Sequence, residues 1–301
     1  MNVYRTSDER FDGLPGYEFE PHYVDQDGLR MHYVDEGSGE PVLLFHGEPT
    51  WSFLYRKVIP PLSRVARVLA PDYFGFGRSD KPVDAEWYSY DSHYASVERF
   101  VDELDLRGLT LVVHDWGGPL GLRLAVERPE RVERLVITNT GLYAGRPPSD
   151  EWLRFREFVR RVGTELRPGQ LVRMTCVTEL SDEVVAGYDA PHPTPESKTG
   201  LLMFPELVPT EADHPSAATM TRVRETLGGW RKPALVVFSD SDPIFSPRVG
   251  ERFAERIPGA ELGEPLAGAG HFLQEDKGEE LGERIARWLS EEPSRGATSG
   301  V

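Results

Sequence analysis

The chain carries 34 basic against 50 acidic residues over 301 positions, a formal net charge of −16 at pH 7. That excess disfavours nucleic acid and anionic membrane surfaces as partners, because both attract basic protein surfaces. No apolar run approaches the ~18 residues of a membrane span, and the single cysteine, Cys176, excludes a disulfide framework and a cysteine-built metal cluster.

The N-terminus, MNVYRTSDERFDG, is charged and lacks the apolar region of a secretory signal, so a cytoplasmic location is expected. An antiparallel pair follows: EFEPHYVD and LRMHYVDEG flank Gly28, with turn composition between them. PVLLF (41–45), RVLAPD (67–72), LTLVVH (109–114) and RLVITN (134–139) are short, nearly continuous apolar runs, as expected of strands buried on both faces of a parallel sheet. Helical spacing lies between them, from Ser92 to Leu104 and from Leu120 to Glu127. This alternation predicts a mostly parallel, doubly wound α/β sheet. The pattern then changes. Residues 141–216 contain a helix from Trp152 to Val162 and the proline-rich GYDAPHPTPES, with no buried strand. They read as a helical cap inserted into a core of residues 1–140 and 217–292. The alternation resumes with ALVVFSDSD (234–242), a helix from Arg248 to Arg256, GAELGEPL, and a last helix from Gly278 to Leu289. Residues 293–301 are expected to be a disordered tail.

Four sites along this order fit one mechanism. In LTLVVHDWGGPLGLRLA (109–125) a strand breaks at HDWGG and a helix follows. That layout is the nucleophile elbow of an α/β-hydrolase, where a strained turn lifts one side chain above the sheet. The usual occupant is serine, but here it is Asp115. A carboxylate can displace a leaving group from saturated carbon and leave an alkyl ester on the enzyme. The plainer alternative is that Asp115 only caps the next helix. Upstream, FHGEPTW (45–51) can aim the backbone N–H of Glu48 at an oxyanion, with the backbone N–H of Trp116 as the second donor. The order nucleophile, acid, histidine puts the acid in VVFSDSDPIF, where Asp242 is favoured over Asp240. It puts the base at His271 in GAGHFLQED, a glycine-rich turn after a late strand. His114 adjoins the nucleophile but should point away from it.

At these residues the chain resembles the haloalkane dehalogenases, and it does so nearly end to end: RTSDERFDGLPGYEF, HGEPTWSFLYRKVIPPL, APDYFGFGRSDKP, VVHDWGG, FPELVP, DPIF and GHFLQED. The resemblance implies an α/β-hydrolase fold and hydrolysis of a halogenated alkane by water to alcohol, halide and proton, with no cofactor and no metal. It makes Asp115 the nucleophile, His271 the base, Asp242 its orienting acid, and Glu48 with Trp116 the oxyanion hole. The Trp116 indole would bind the departing halide. The second halide donor departs from the pattern. The branch with HGEPTW carries Phe-x-x-Trp at the first cap helix, whereas this chain reads Trp152-Leu-Arg-Phe155, so Trp152 is the candidate. Partners are expected to be small molecules only, with the chain a monomer or a small homo-oligomer. Two alternatives stay open. HDWGG also resembles epoxide hydrolases, which need two cap tyrosines, here Tyr143 and Tyr188. The scaffold could also bind a ligand without turning it over.

Overall fold

The computed structural model describes residues 2–143, 145 and 149–291; the expected tail, 293–301, lies outside them. A short strand β1 (Val3–Tyr4) is later joined by β6 (Lys81–Pro82) in a small antiparallel ribbon. The main sheet begins as the hairpin β2 (His22–Gln26) and β3 (Leu29–Gly37). Its turn residues Asp27 and Gly28 have φ of 56° and 84°, the positive-φ pair whose twist matches the flanking strands. The sheet is completed by β4 (Pro41–Phe45), β5 (Arg67–Pro71), β7 (Leu109–Val113), β8 (Val132–Ile137), β9 (Ala234–Val236) and β10 (Ala260–Leu262). The order is β10-β9-β8-β7-β4-β5-β3-β2, parallel from β10 to β5 and antiparallel at the β3 and β2 end.

Why the central strands read so clearly is visible in their surroundings. All five residues of β7 are buried, as are four of five in β4, because helices cover both faces. These are α1 (Ile59–Leu62), α2 (Tyr90–Glu103), α3 (Gly117–Glu127) and, later, α8 (Ala217–Thr226), α9 (Pro247–Arg256) and α10 (Leu273–Glu291). Helix α2 starts in a reciprocal cap between Ser89 and Ser92, which satisfies two otherwise orphaned N–H groups.

Between β8 and α8 the described chain is helical and contains no strand: α4 (Asp150–Val162), α5 (Pro168–Thr175), α6 (Asp182–Asp189) and α7 (Thr199–Met203). Helix α4 is capped by Ser149, has Asp150 and Glu151 in its first turn, and Arg160 and Arg161 in its last, charges that complement its dipole. Helix α8 packs on α3, so by residue 217 the chain is back against the helices that cover the sheet.

Helix α10 starts earlier than its apolar spacing suggests. A first segment from Leu273 meets a break at Lys277 (φ −140°, ψ 35°) before the amphipathic part. That segment serves as a polar anchor, which no hydrophobic period reveals. The Glu275 carboxylate, buried, accepts from the Arg56 guanidinium and the Tyr188 hydroxyl. Asp276 accepts from the backbone N–H groups of Gly270, Val177 and Thr178. No helix among the described residues is long and apolar enough to cross a membrane.

Candidate active site

The parallel register sets Phe45 beside Val113 at the ends of β4 and β7, so the loops leaving these strands emerge side by side. One carries Gly47-Glu48, the other His114-Asp115-Trp116. Asp115 has φ of +48°, in the left-handed region that an L-residue adopts only when its surroundings hold it there. Here the Asp115 N–H donates to the Asn139 carbonyl at 3.0 Å, and the Asp115 carbonyl accepts from Thr140 Oγ1 at 2.6 Å. Gly47 has no alternative. A Cβ there would lie 2.3 Å from Asp115 Oδ1.

The Asp115 carboxylate is differentiated by what it touches. Oδ1 accepts the Glu48 backbone N–H at 2.9 Å, and the Trp116 backbone N–H also bonds the carboxylate. Oδ2 sits 3.8 Å from His271 Nε2, and the side chain keeps 17% of its surface open to a pocket. Burial raises the Asp115 pKa, opposed by His271 and by the two backbone N–H groups. The Glu48 carboxyl is pushed well above the usual carboxylate range by burial and by the charge of Asp115.

His271 Nδ1 lies 2.8 Å from Asp242 Oδ2. A buried carboxylate only accepts, so Nδ1 carries the proton and Nε2 presents a lone pair towards Asp115. Burial alone would lower the His271 pKa, but the charge and hydrogen bond of Asp242, with Asp115 beyond, leave it raised. Asp242 is itself held by the Ile244 N–H, donated to Oδ1 at 2.7 Å. Asp240 instead faces solvent and accepts the Gly268 N–H at 3.0 Å.

The backbone of the histidine loop is clamped from below. His114 Nε2 and Asn139 Nδ2 both donate to the His271 carbonyl, at 2.9 and 3.2 Å. The His114 ring thus turns to the main chain of His271 and grips it. Asn139 carries no motif, and nothing in the sequence singled it out.

The pocket above Asp115 has a volume of about 290 Å³. Core residues Glu48, Trp116 and His271 form its floor, and Phe155, Phe158 and Leu171 from α4 and α5 its apolar wall. Beside Asp115 lies a separate recess of about 20 Å³, bounded by Trp116, Trp152, Tyr143 and Phe245. A space that size holds one water-sized occupant. Phe155 lines the larger pocket and not the recess, whereas Trp152 lines both. Neither indole N–H has a protein acceptor among the described residues. Tyr188 is remote from this chemistry because its hydroxyl donates to Glu275. Of Tyr143 and Tyr188, only Tyr143 borders the site. Phe245, whose ring stacks on His271 at 5.7 Å, belongs to the DPIF segment but drew no role from the sequence alone.

Comparison with known proteins supplies the wider frame. Residues 40–166 match a family model described as the alpha/beta hydrolase fold. A haloalkane dehalogenase of Mycolicibacterium paratuberculosis is 45% identical over 299 residues, covering 96% of this chain and 98% of that protein. Haloalkane dehalogenase 1 of Mycobacterium tuberculosis is 47% identical over 300 residues, covering 96% and 99%. Among solved structures, the tetrameric haloalkane dehalogenase of Paraglaciecola agarilytica NO2 superposes with a TM-score of 0.89 at 35% identity, over 94% of this chain and 97% of that one.

Proposed function

The chain belongs to the haloalkane dehalogenases, and from that premise we propose how its own residues divide the reaction. It is a hydrolase acting on carbon–halide bonds, giving alcohol, halide and a proton. Asp115 Oδ2, the oxygen facing His271, attacks the carbon bearing the halogen. The carbon–halogen bond breaks, the electron pair leaves with the halide, and an alkyl ester remains on Asp115. The halide departs into the recess, where the indole N–H groups of Trp116 and Trp152 stabilise its developing charge.

His271 Nε2 then takes a proton from water as the water oxygen attacks the ester carbonyl carbon. Negative charge develops on Oδ1, which already accepts the Glu48 N–H, with the Trp116 N–H bonded to the same carboxylate. Asp242 holds the imidazole in the useful tautomer and stabilises its protonated form. Collapse breaks the bond from the Asp115 carboxyl carbon to the alkyl-bearing oxygen, which leaves as the alcohol with the proton from His271. The new carboxyl group, now holding the water oxygen, sheds its own proton to become the carboxylate. The observation that carries this assignment is the asymmetry of Asp115: Oδ1 accepts the Glu48 backbone N–H, whereas Oδ2 faces His271 Nε2 at 3.8 Å.

In this reading residues 141–216 form the cap over a core of 1–140 and 217–292. The chain acts in the cytoplasm on small halogenated alkanes, as a monomer or small homo-oligomer. The epoxide alternative is disfavoured by Tyr188, whose hydroxyl is spent on Glu275. His271→Phe supplies the test, because displacement needs no base and ester hydrolysis does. Intact-protein mass spectrometry after adding 1-bromohexane should show the enzyme heavier by one hexyl group. A folded variant that binds substrate without gaining that mass would refute the covalent route.

A further inference from the structure

A second cavity, of about 470 Å³, lies between α8, α9 and the segment leaving β8. It is larger than the catalytic pocket and falls within the range of small-molecule sites. Its floor is apolar, with Leu142, Leu227, Val249 and Phe253 contributing. Tyr143 and Phe245 form a party wall with the recess beside Asp115, since both rings line both spaces. They lie tilted against each other with centroids 6.3 Å apart.

Three arginines, Arg224, Arg252 and Arg256, line the cavity. None forms an ion pair or a hydrogen bond with protein among the described residues. Arg224 is half-buried, and Arg252 and Arg256 are exposed. Arg222, two residues from Arg224, already pairs with Glu127 at 2.6 Å. Arg224 Nε is buried without an acceptor, the kind of open donor that calls for a partner. Guanidinium groups above an apolar floor match a ligand with a planar anionic head and a hydrocarbon body.

We propose that this cavity binds an organic carboxylate with an apolar body, at a site separate from the catalytic pocket. The Arg224, Arg252 and Arg256 guanidinium groups hold the carboxylate, and the tail lies on Leu227 and Phe253. The proposal is independent of the dehalogenation mechanism, because none of the three arginines touches the reacting groups.

Titration calorimetry on the full chain tests it with two probes, 4-phenylbutanoate and the neutral 4-phenylbutan-1-ol. The acid should bind saturably and at least about tenfold more tightly than the alcohol, the gain expected of charge-assisted hydrogen bonds. The triple variant R224Q/R252Q/R256Q should lose at least about tenfold in that affinity while releasing halide from 1-bromohexane at the wild-type rate. Three results overturn the proposal. These are no saturable binding of the acid, equal binding of the alcohol, and binding that survives in the triple variant. Survival together with competition against 1-bromohexane would place the acid in the catalytic pocket.

Discussion

Trp152→Phe is the most informative single substitution, because the recess admits only one occupant. At about 20 Å³ it exceeds the ~10–15 Å³ that one water needs, so a halide seated there meets Trp116 and Trp152 together. The Trp152 N–H is not engaged by any protein acceptor among the described residues. Its removal therefore breaks no internal hydrogen bond and strips only the donor offered to the leaving group. Losing one oriented donor from a comparable anion hole costs about 2.7–4 kcal/mol, or roughly 10²–10³ in rate. Phenylalanine keeps an aromatic ring in the same place, and a stability loss of about 1 kcal/mol would move Tm by roughly 2–4 °C. The loss should fall hardest on chlorides, the poorer leaving groups, so 1-chlorohexane and 1-bromohexane are compared by halide release. Bromide quenching of tryptophan fluorescence reports the site without turnover. If quenching is unchanged and chloride turnover stays within about threefold, under 1 kcal/mol of barrier, Trp152 merely packs and the halide rests on Trp116 alone.

Asp242→Asn should cut turnover by about 10⁴, the loss seen when a triad acid is made neutral. Asp240→Asn should be mild, because an amide oxygen can still accept the Gly268 N–H; the reverse ranking in halide release would exchange their roles. Ester decay, followed in single turnovers, should slow as pH falls through the raised pKa of His271, since only the neutral imidazole accepts a proton. In Asp242→Asn the residual decay should keep its rate to lower pH, because the charge that holds the proton on His271 is gone; a limb that stays in place would show another group governs it. Gly47→Ala should fold yet lose at least about 10²-fold in activity, since its Cβ would press on Asp115 and misplacement by an ångström is that costly; wild-type halide release would contradict the close approach.

The parallel strands and the elbow were legible because burial on both faces leaves an uninterrupted apolar run, and HDWGG interrupts it at one place. Asp242 could be separated from Asp240 by loop order, and the contrast is physical: one side chain is buried against His271, the other faces solvent. Three things were not legible. Asn139 acts through two backbone carbonyls and its own amide, which leave no periodic trace. The first segment of α10 is held by ion pairs and carboxylate caps rather than by an apolar face. The order Trp152-Leu-Arg-Phe155 could not be resolved along the chain, since which ring reaches the recess depends on the rotation of α4 about its axis.

The pocket is built by two contributors with different tolerance for change. The groups proposed to react come from loops at the ends of β4, β7 and β9 and from the turn ahead of α10, where neighbours crowd so closely that Gly47 has no room for a methyl group. Its apolar wall comes from Phe155, Phe158 and Leu171 on α4 and α5, with Met174 at the rim, 74% exposed. A mutation in the first set strikes the bond-making step, whereas one in the second reshapes the space the alkyl chain occupies. Natural variation and laboratory selection thus have a free variable in α4 and α5. Acceptance of longer, branched or shorter haloalkanes can drift there while the chemistry beneath stays fixed.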